Sequence, residues 1–367
     1  MLDTIAVYLA APNFDVTAPS SFASKRYFPD GGWQRSQNST AKERAANVKK
    51  PAVTWSGGRP GRPEDALRIE VSLPKLVFGN NLSELAEGDA RVVLRLLSKA
   101  VAEMGVDVTE EALWHSKVSL LHVGKNVRLS PGMTCCSALW ELSSVPQRAT
   151  MDQTQSEFRN GGAAYKLHAN QREITFYDKL LDIRRAMKSP KRAEDPLSGK
   201  LGIPGEMDSG SAGAVLRMEC RFSKREGVKD ALRRIGEANP DPRFSDVFRE
   251  DVAMGILLRE LERFEGPAGA SPSGRLAPLD LISSLVKGGM TSKNAITTYG
   301  LQALEREFQC ATLRRVLEES GAPAAAWYRL RRFRSTAPAT SADSAVHVIR
   351  KALVDYVPFQ MPPKASS

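Results

Sequence analysis

Tyr177 and Lys179 stand two residues apart in the stretch Glu173-Ile-Thr-Phe-Tyr-Asp-Lys-Leu-Leu-Asp-Ile183. A phenol beside an ammonium can serve as a covalent nucleophile, because the cation offsets charge that grows on the attacking oxygen. Ile174 and Phe176 alternate with polar residues, which predicts a strand whose polar side presents Glu173, Thr175, Tyr177 and Lys179. The same pair also reads as ordinary strand decoration, since tyrosine favours sheets. Other strand-like stretches offer partners. Ile69, Val71 and Leu73 alternate with Arg68, Glu70 and Ser72, and Leu216, Met218, Cys220 and Phe222 alternate with Arg217, Glu219 and Arg221. In "HSKVSLLHVGKNVRL", Val118, Leu120, His122 and Gly124 are expected to share a face. Glu70, His122 and Glu219 could meet Tyr177 and Lys179 if these strands adjoin. Two carboxylates and an imidazole suit a divalent ion, Mg2+ or Mn2+, that polarises a phosphoryl oxygen. His122 reads equally as a core histidine, and Glu219 between two arginines as a salt-bridged strand face.

The elements that must hold these residues follow from periodicity. "MLDTIAVYLAAP" reads as a first strand, and residues 56–65 are dense in Gly and Pro, as turns require. Asn81-Leu-Ser-Glu84 resembles a capping box, and Leu85, Val92, Val93, Leu96, Leu97, Ala100, Val101 and Met104 recur at helical spacing, predicting a helix over 82–104. From about residue 226 the period becomes helical throughout, through Leu232, Leu257, Leu261, Leu301 and Leu304. The expected fold class is α+β, with an α+β domain over 1–225, a helical C-terminal region over 226–360 and a disordered tail over 361–367.

Composition bounds the function. Lys and Arg number 52 against 42 Asp and Glu, a net charge of +10 that makes a polyanion a plausible partner. Neither GxxxxGK[ST] nor a strand-helix GxGxxG occurs, which argues against ATP-driven chemistry. Cys135, Cys136, Cys220 and Cys310 form no CxxC pair, so reduced thiols in a cytoplasm are expected, with neither a disulfide framework nor a zinc site. No run approaches the ~18 apolar residues needed to span a bilayer, so no membrane role is expected. His347-Val-Ile-Arg350 with Tyr356 matches the HxxR-tyrosine pattern of integrase-type recombinases only by chance, because the tyrosine follows too closely. Basic segments at Arg184 and Arg185, and at Arg329, Arg331, Arg332 and Arg334 within "YRLRRFR", are candidate DNA contacts, the second with aromatic faces beside its arginines; each reads equally as a solvated helix face.

In order, "MLDTIAVYL", "LRIEVSLPKLVFGNN", "VSLLHVGKNVRL", "ITFYDKLLDI" and "LRMECRF" resemble the gene II/X family of phage and plasmid replication proteins, the filamentous-phage initiators of rolling-circle replication. The resemblance spans most of residues 1–225 and, more weakly, the region around 295–334. It implies an antiparallel-sheet nicking domain related to rolling-circle Rep nucleases, followed by a helical C-terminal lobe. It further implies a metal-dependent, site-specific DNA endonuclease and strand transferase. Such an enzyme cuts one strand at a phage or plasmid replication origin, keeps the 5′ phosphate on a tyrosine, and frees a 3′ hydroxyl for host polymerase and helicase. By that resemblance Tyr177 is the nucleophile, Lys179 its charge partner, and Glu219 a metal ligand together with His122 and Glu70. His122 stands where that family has the carboxylate of an "R-I-D" strand, and imidazole suits Mn2+ better than Mg2+. The chain also lacks an H-x-H pair. The other function considered is a non-catalytic origin-binding or single-stranded-DNA-binding replication protein.

Overall fold

The structure, a computed structural model, describes residues 1–39, 50–58, 64–130, 133–144, 156–159, 163–169, 171–188, 214–237, 239, 241–264, 286, 289–307, 319–321 and 344–360. Its strands are β1 (Leu2–Ala10), β2 (Asp15–Val16), β3 (Arg26–Tyr27), β4 (Trp33–Gln37), β5 (Ala52–Gly57), β6 (Ala66–Ser72), β7 (Val106–Asp107), β8 (Lys117–Arg128), β9 (Ser156–Arg159), β10 (Ala164–Ala169), β11 (Arg172–Asp178) and β12 (Val215–Phe222). Ten of them form one sheet in the order β3-β4-β5-β6-β1-β8-β12-β11-β10-β9, antiparallel at every pairing. The short β2 and β7 pair separately. The α+β class expected from periodicity is what the chain adopts.

Helices α1 (Leu73–Phe78), α2 (Ala90–Ala102), α3 (Glu110–Trp114), α4 (Cys135–Ser144), α5 (Lys179–Lys188), α6 (Arg225–Arg234), α7 (Phe244–Val247), α8 (Glu250–Leu261), α9 (Ser292–Glu307) and α10 (Ala345–Asp355) complete the described elements. One face of the sheet is apolar, and helices cover it. Val93 and Leu97 of α2, Leu232 of α6, Ile256 and Leu257 of α8, and Ile349 and Leu353 of α10 join Ile69, Val123, Phe176 and Met218 in one continuous core. Burying such side chains contributes roughly 1.5–3 kcal/mol each, which is what holds the helices to the sheet. The core therefore runs across the expected boundary near residue 225. The expected tail, 361–367, lies outside the described residues.

Three local departures set where the candidate residues lie. The 82–104 helix begins at Ala90, because Glu84 is not a cap. Its buried carboxylate accepts from Lys125 Nζ at 2.5 Å, from the Phe359 N–H at 2.8 Å and from the Asn126 N–H. These are stronger partners than a helix terminus offers. In β8, the register against β1 shifts between Ala6 and Val7, leaving Ser119 as an extra residue. Val118 therefore faces the core opposite Val7, whereas Leu120 and His122 take the other side. Finally, β11 stops at Asp178, whose Oδ1 accepts from the Leu181 N–H at 2.8 Å, so Lys179 opens α5 instead of continuing the strand.

Candidate active site

The second face of the sheet is polar and partly open: Thr4, Tyr8, Arg68, Glu70 and His122 are half-buried. Register places its central residues in rows. Thr175 pairs with Glu219, Tyr177 with Arg217 and Glu173 with Arg221; on the far side of β12, Glu219 pairs with Gly124, Arg217 with Asn126 and Arg221 with His122. Alternation alone thus gathers Tyr177, Glu219, Arg217, Arg221 and His122 across three neighbouring strands.

Glu219 is the hub. Its Oε2 accepts from Tyr177 Oη at 3.1 Å and its Oε1 from Arg221 Nε at 2.8 Å, while Arg217 Nε lies 3.7 Å from Oε2. Only 2% of Glu219 is exposed. Burial pushes its carboxyl pKa up, but the guanidiniums of Arg221 and Arg217 outweigh that and hold it well below the usual carboxylate range. Arg221 continues outward to Glu173 at 3.2 Å, and Glu173 also pairs with Lys166. Burial, and then the Glu219 carboxylate, push the Tyr177 phenol well above its ordinary value.

Arg217 reaches in the opposite direction. Its Nη1 donates to Asn126 Oδ1 at 3.0 Å and its Nη2 to Asp3 Oδ2 at 2.6 Å, two strands away on β1. The guanidinium crosses β8 directly above Gly124, where an added Cβ would stand 2.8 Å from Nη2 and 3.0 Å from Cζ. Gly124 is therefore the pass through which β12 is tied to β1. Substituting Gly124→Ala should force Arg217 off its partners and cost about 1–3 kcal/mol, the range of overpacking, and denaturant unfolding would measure it. A variant as stable as the wild type would contradict the crossing.

Lys179 lies below this cluster. It is fully buried, its Nζ is 5.5 Å from the centre of the Tyr177 ring, and that Nζ has no hydrogen-bond partner among the described residues. Burial, then Arg217, bring its pKa down to about 8. The N-terminal end of α5 and the strand end at Asp178 together hold it there.

Of the residues expected at a site, Tyr177, Lys179, Glu219 and His122 are brought together, the last with Nδ1 3.9 Å from Glu219 Oε1. Burial lowers the His122 pKa, favouring the neutral ring. Glu70 is elsewhere, on β6, separated from β8 by β1 and paired with Arg68 at 2.7 Å. Arg184 and Arg185 lie on α5, half-buried, and Arg329, Arg331, Arg332 and Arg334 lie outside the described residues. Asp3, Asn126 and Gly124 were not legible as site residues. Asp3 could have been suspected as an acid within an otherwise apolar first strand. Tyr165 presents its ring to the apolar face, across from Phe176, and is 4% exposed, which removes it as a rival nucleophile.

A divalent ion does not fit this arrangement. Among the described residues no group of three or more His, Cys, Asp and Glu side chains converges as a metal site. Glu219, the expected central ligand, already holds Tyr177 and Arg221, with Arg217 close by, and two fixed cations within 4 Å oppose a third. Arg217, Arg221, Lys179 and Lys166 stand with Asp3, Glu219, Glu173 and Asp182, four cations to four carboxylates, so the positive groups are already matched in number and Arg221 is the one that reaches outward. No helix of the described residues is long and apolar enough to cross a membrane. No family model, curated protein or solved structure matches this chain.

Proposed function

We propose that the protein is a DNA strand transferase that initiates rolling-circle replication, with Tyr177 as nucleophile. The observation that supports this reading is a half-buried tyrosine whose hydroxyl is held on an ionised glutamate, next to a buried lysine whose amino group has no hydrogen-bond partner among the described residues. Tyr177 Oη attacks the phosphorus of one phosphodiester, the bond from phosphorus to the 3′ oxygen breaks, and the 3′ oxygen takes a proton from water. The phenol proton passes to water as the new bond forms, while the Glu219 carboxylate orients the hydroxyl through its hydrogen bond. Arg221, whose side chain is 39% exposed, is the cation that an incoming phosphate meets first, and Arg217 and Lys179 add buried positive charge behind it. Attack by the 3′ hydroxyl on the phosphotyrosine ester reverses the step and rejoins the strand. A divalent ion, if held, would supply Lewis-acid polarisation of the phosphate. No step is assigned to one, because the charge it would bring is already present in the guanidiniums and the ammonium.

A second reading, a non-catalytic origin-binding or single-strand-binding protein, draws on one observation. The Tyr177 phenol has its pKa raised, the opposite of an activated nucleophile. Incubation with supercoiled DNA of its own replicon separates the two. Strand transfer predicts nicked circles and a covalent protein-DNA adduct, both persisting when a chelator is present. Adduct formation only with added metal would overturn the charge assignment, and salt-dependent binding without any adduct would favour the second reading.

A further inference from the structure

The edge of the sheet opposite the catalytic cluster carries a second concentration of aromatic and basic side chains. β3 and β4 form a hairpin in which Arg26 pairs with Gln34 and Tyr27 with Trp33. Its turn is closed by the Phe28 N–H on Gly32 O at 2.8 Å and the Gly31 N–H on Phe28 O at 3.1 Å, with Gly31 at φ 81°, a conformation glycine adopts without strain. The base of the hairpin is fixed to the core. Trp33 packs edge-on against Trp55 at 4.9 Å, Trp55 against Phe22 at 5.9 Å, and Phe22 is 4% exposed. Arg35 holds the entering strand by donating to Ala23 O at 2.8 Å and Phe22 O at 3.0 Å.

On this rigid base the outer strand faces water. Tyr27 is 69% exposed, the most exposed aromatic of the described residues. Lys25 and Arg26 precede it, both exposed; Lys25 shares the side of Tyr27 and Trp33 whereas Arg26 takes the side of Phe28, and neither makes an ion pair among the described residues. Lys25 Nζ lies 4.3 Å over the Trp33 ring and Arg26 Cζ 5.5 Å over Phe28, so both cations are already steered onto aromatic faces. Added strand pairing is a poor use of this edge, since β3 has only two residues and few free backbone groups.

We infer that the β3–β4 hairpin is a docking site for single-stranded DNA, with an unpaired base stacked on Tyr27 and the flanking phosphates held by Lys25 and Arg26. Stacking on a tyrosine needs a base whose face is free, which a duplex does not offer, while Lys25 on the same side and Arg26 across the strand edge, neither in an ion pair among the described residues, match the negative charge that recurs along the backbone. This inference rests on the strand-transfer reading for the choice of DNA as ligand, because that reaction exposes a single strand. It does not depend on the chemistry at Tyr177.

The test is equilibrium binding of a labelled thymidine oligonucleotide to the full chain and to Tyr27→Ala, Tyr27→Phe and the double variant Lys25→Ala/Arg26→Ala. Tyr27→Ala should bind about tenfold more weakly with an unchanged salt dependence, and Tyr27→Phe should restore affinity. The double variant should lose affinity and flatten the log–log salt slope by roughly 1.4, about 0.7 per single-strand phosphate contact. Wild-type affinity in all three, or failure of the wild type to hold the oligonucleotide, overturns the inference. The same proteins assayed for the covalent adduct keep the two ideas apart. An adduct with unchanged oligonucleotide affinity removes the hairpin site alone, whereas lost affinity in the hairpin variants with no wild-type adduct removes strand transfer alone.

Discussion

Lys179→Met should make the protein more stable at pH 7 and sharply reduce the formation of its DNA adduct. The lysine is fully buried with no hydrogen-bond partner for its Nζ among the described residues, and its pKa falls from 10.5 to about 8, so keeping it charged costs about 3 kcal/mol at neutral pH. Methionine fills nearly the same volume without the charge. The sign follows from proton binding. Between pH 8 and 10 the unfolded chain holds a proton on this lysine that the folded chain has released, so wild-type stability from this group rises with pH across that window. The methionine variant lacks that rise. Unfolding by denaturant at pH 7 and pH 9.5 reads both effects, and a variant less stable than the wild type at pH 7 would assign Lys179 a structural role instead. Adduct formation should drop by about a hundredfold or more in Lys179→Met, the size of effect seen when one preorganised charge is removed. In the wild type it should decline above pH 8 as the ammonium is lost, and Lys179→Arg should move that decline to higher pH.

Such a cost is what the strand-transfer proposal expects of a charge held in place for the reaction. The sequence made part of this visible. Alternation along Leu216–Phe222 and Ile174–Tyr177 placed Glu219, Arg217, Arg221 and Tyr177 on one face of the sheet because a strand has only two sides. Lys179 was expected to share that face as a strand residue. It reaches the cluster as the first residue of α5, because Asp178 caps a helix whose Leu180 and Ile183 are buried together. Asp3 and Gly124 were not legible, since their roles depend on which strands lie beside β8, and order within a sheet is a long-range property. Glu84 misled for a related reason. Its pattern is that of a helix cap, but the ammonium of Lys125 and two backbone N–H groups, all distant in sequence, compete for its carboxylate. His122 and Glu219 do approach, whereas Glu70 is drawn to Arg68 within its own strand, a pairing that an i, i+2 spacing allows.

The second large effect concerns Tyr177 itself. Tyr177→Phe removes one oxygen and keeps the ring between Arg217 and Ala164 in the sheet register. Glu219 retains Arg221 at 2.8 Å, so loss of the tyrosine hydrogen bond should cost only about 0.5–1.5 kcal/mol. Affinity for DNA should remain within about twofold of wild type, since binding rests on many phosphate contacts. Adduct and nicking should vanish. The direct measurement is proteolysis of the adduct formed with supercoiled replicon DNA, followed by mass mapping of the peptide that bears the nucleotide. A strand-transfer role for Tyr177 predicts a single modified peptide spanning Arg172–Asp178, with the nucleotide on Tyr177 and no such peptide from the phenylalanine variant. A nucleotide on any other tyrosine, or an adduct of undiminished yield from Tyr177→Phe, would contradict it.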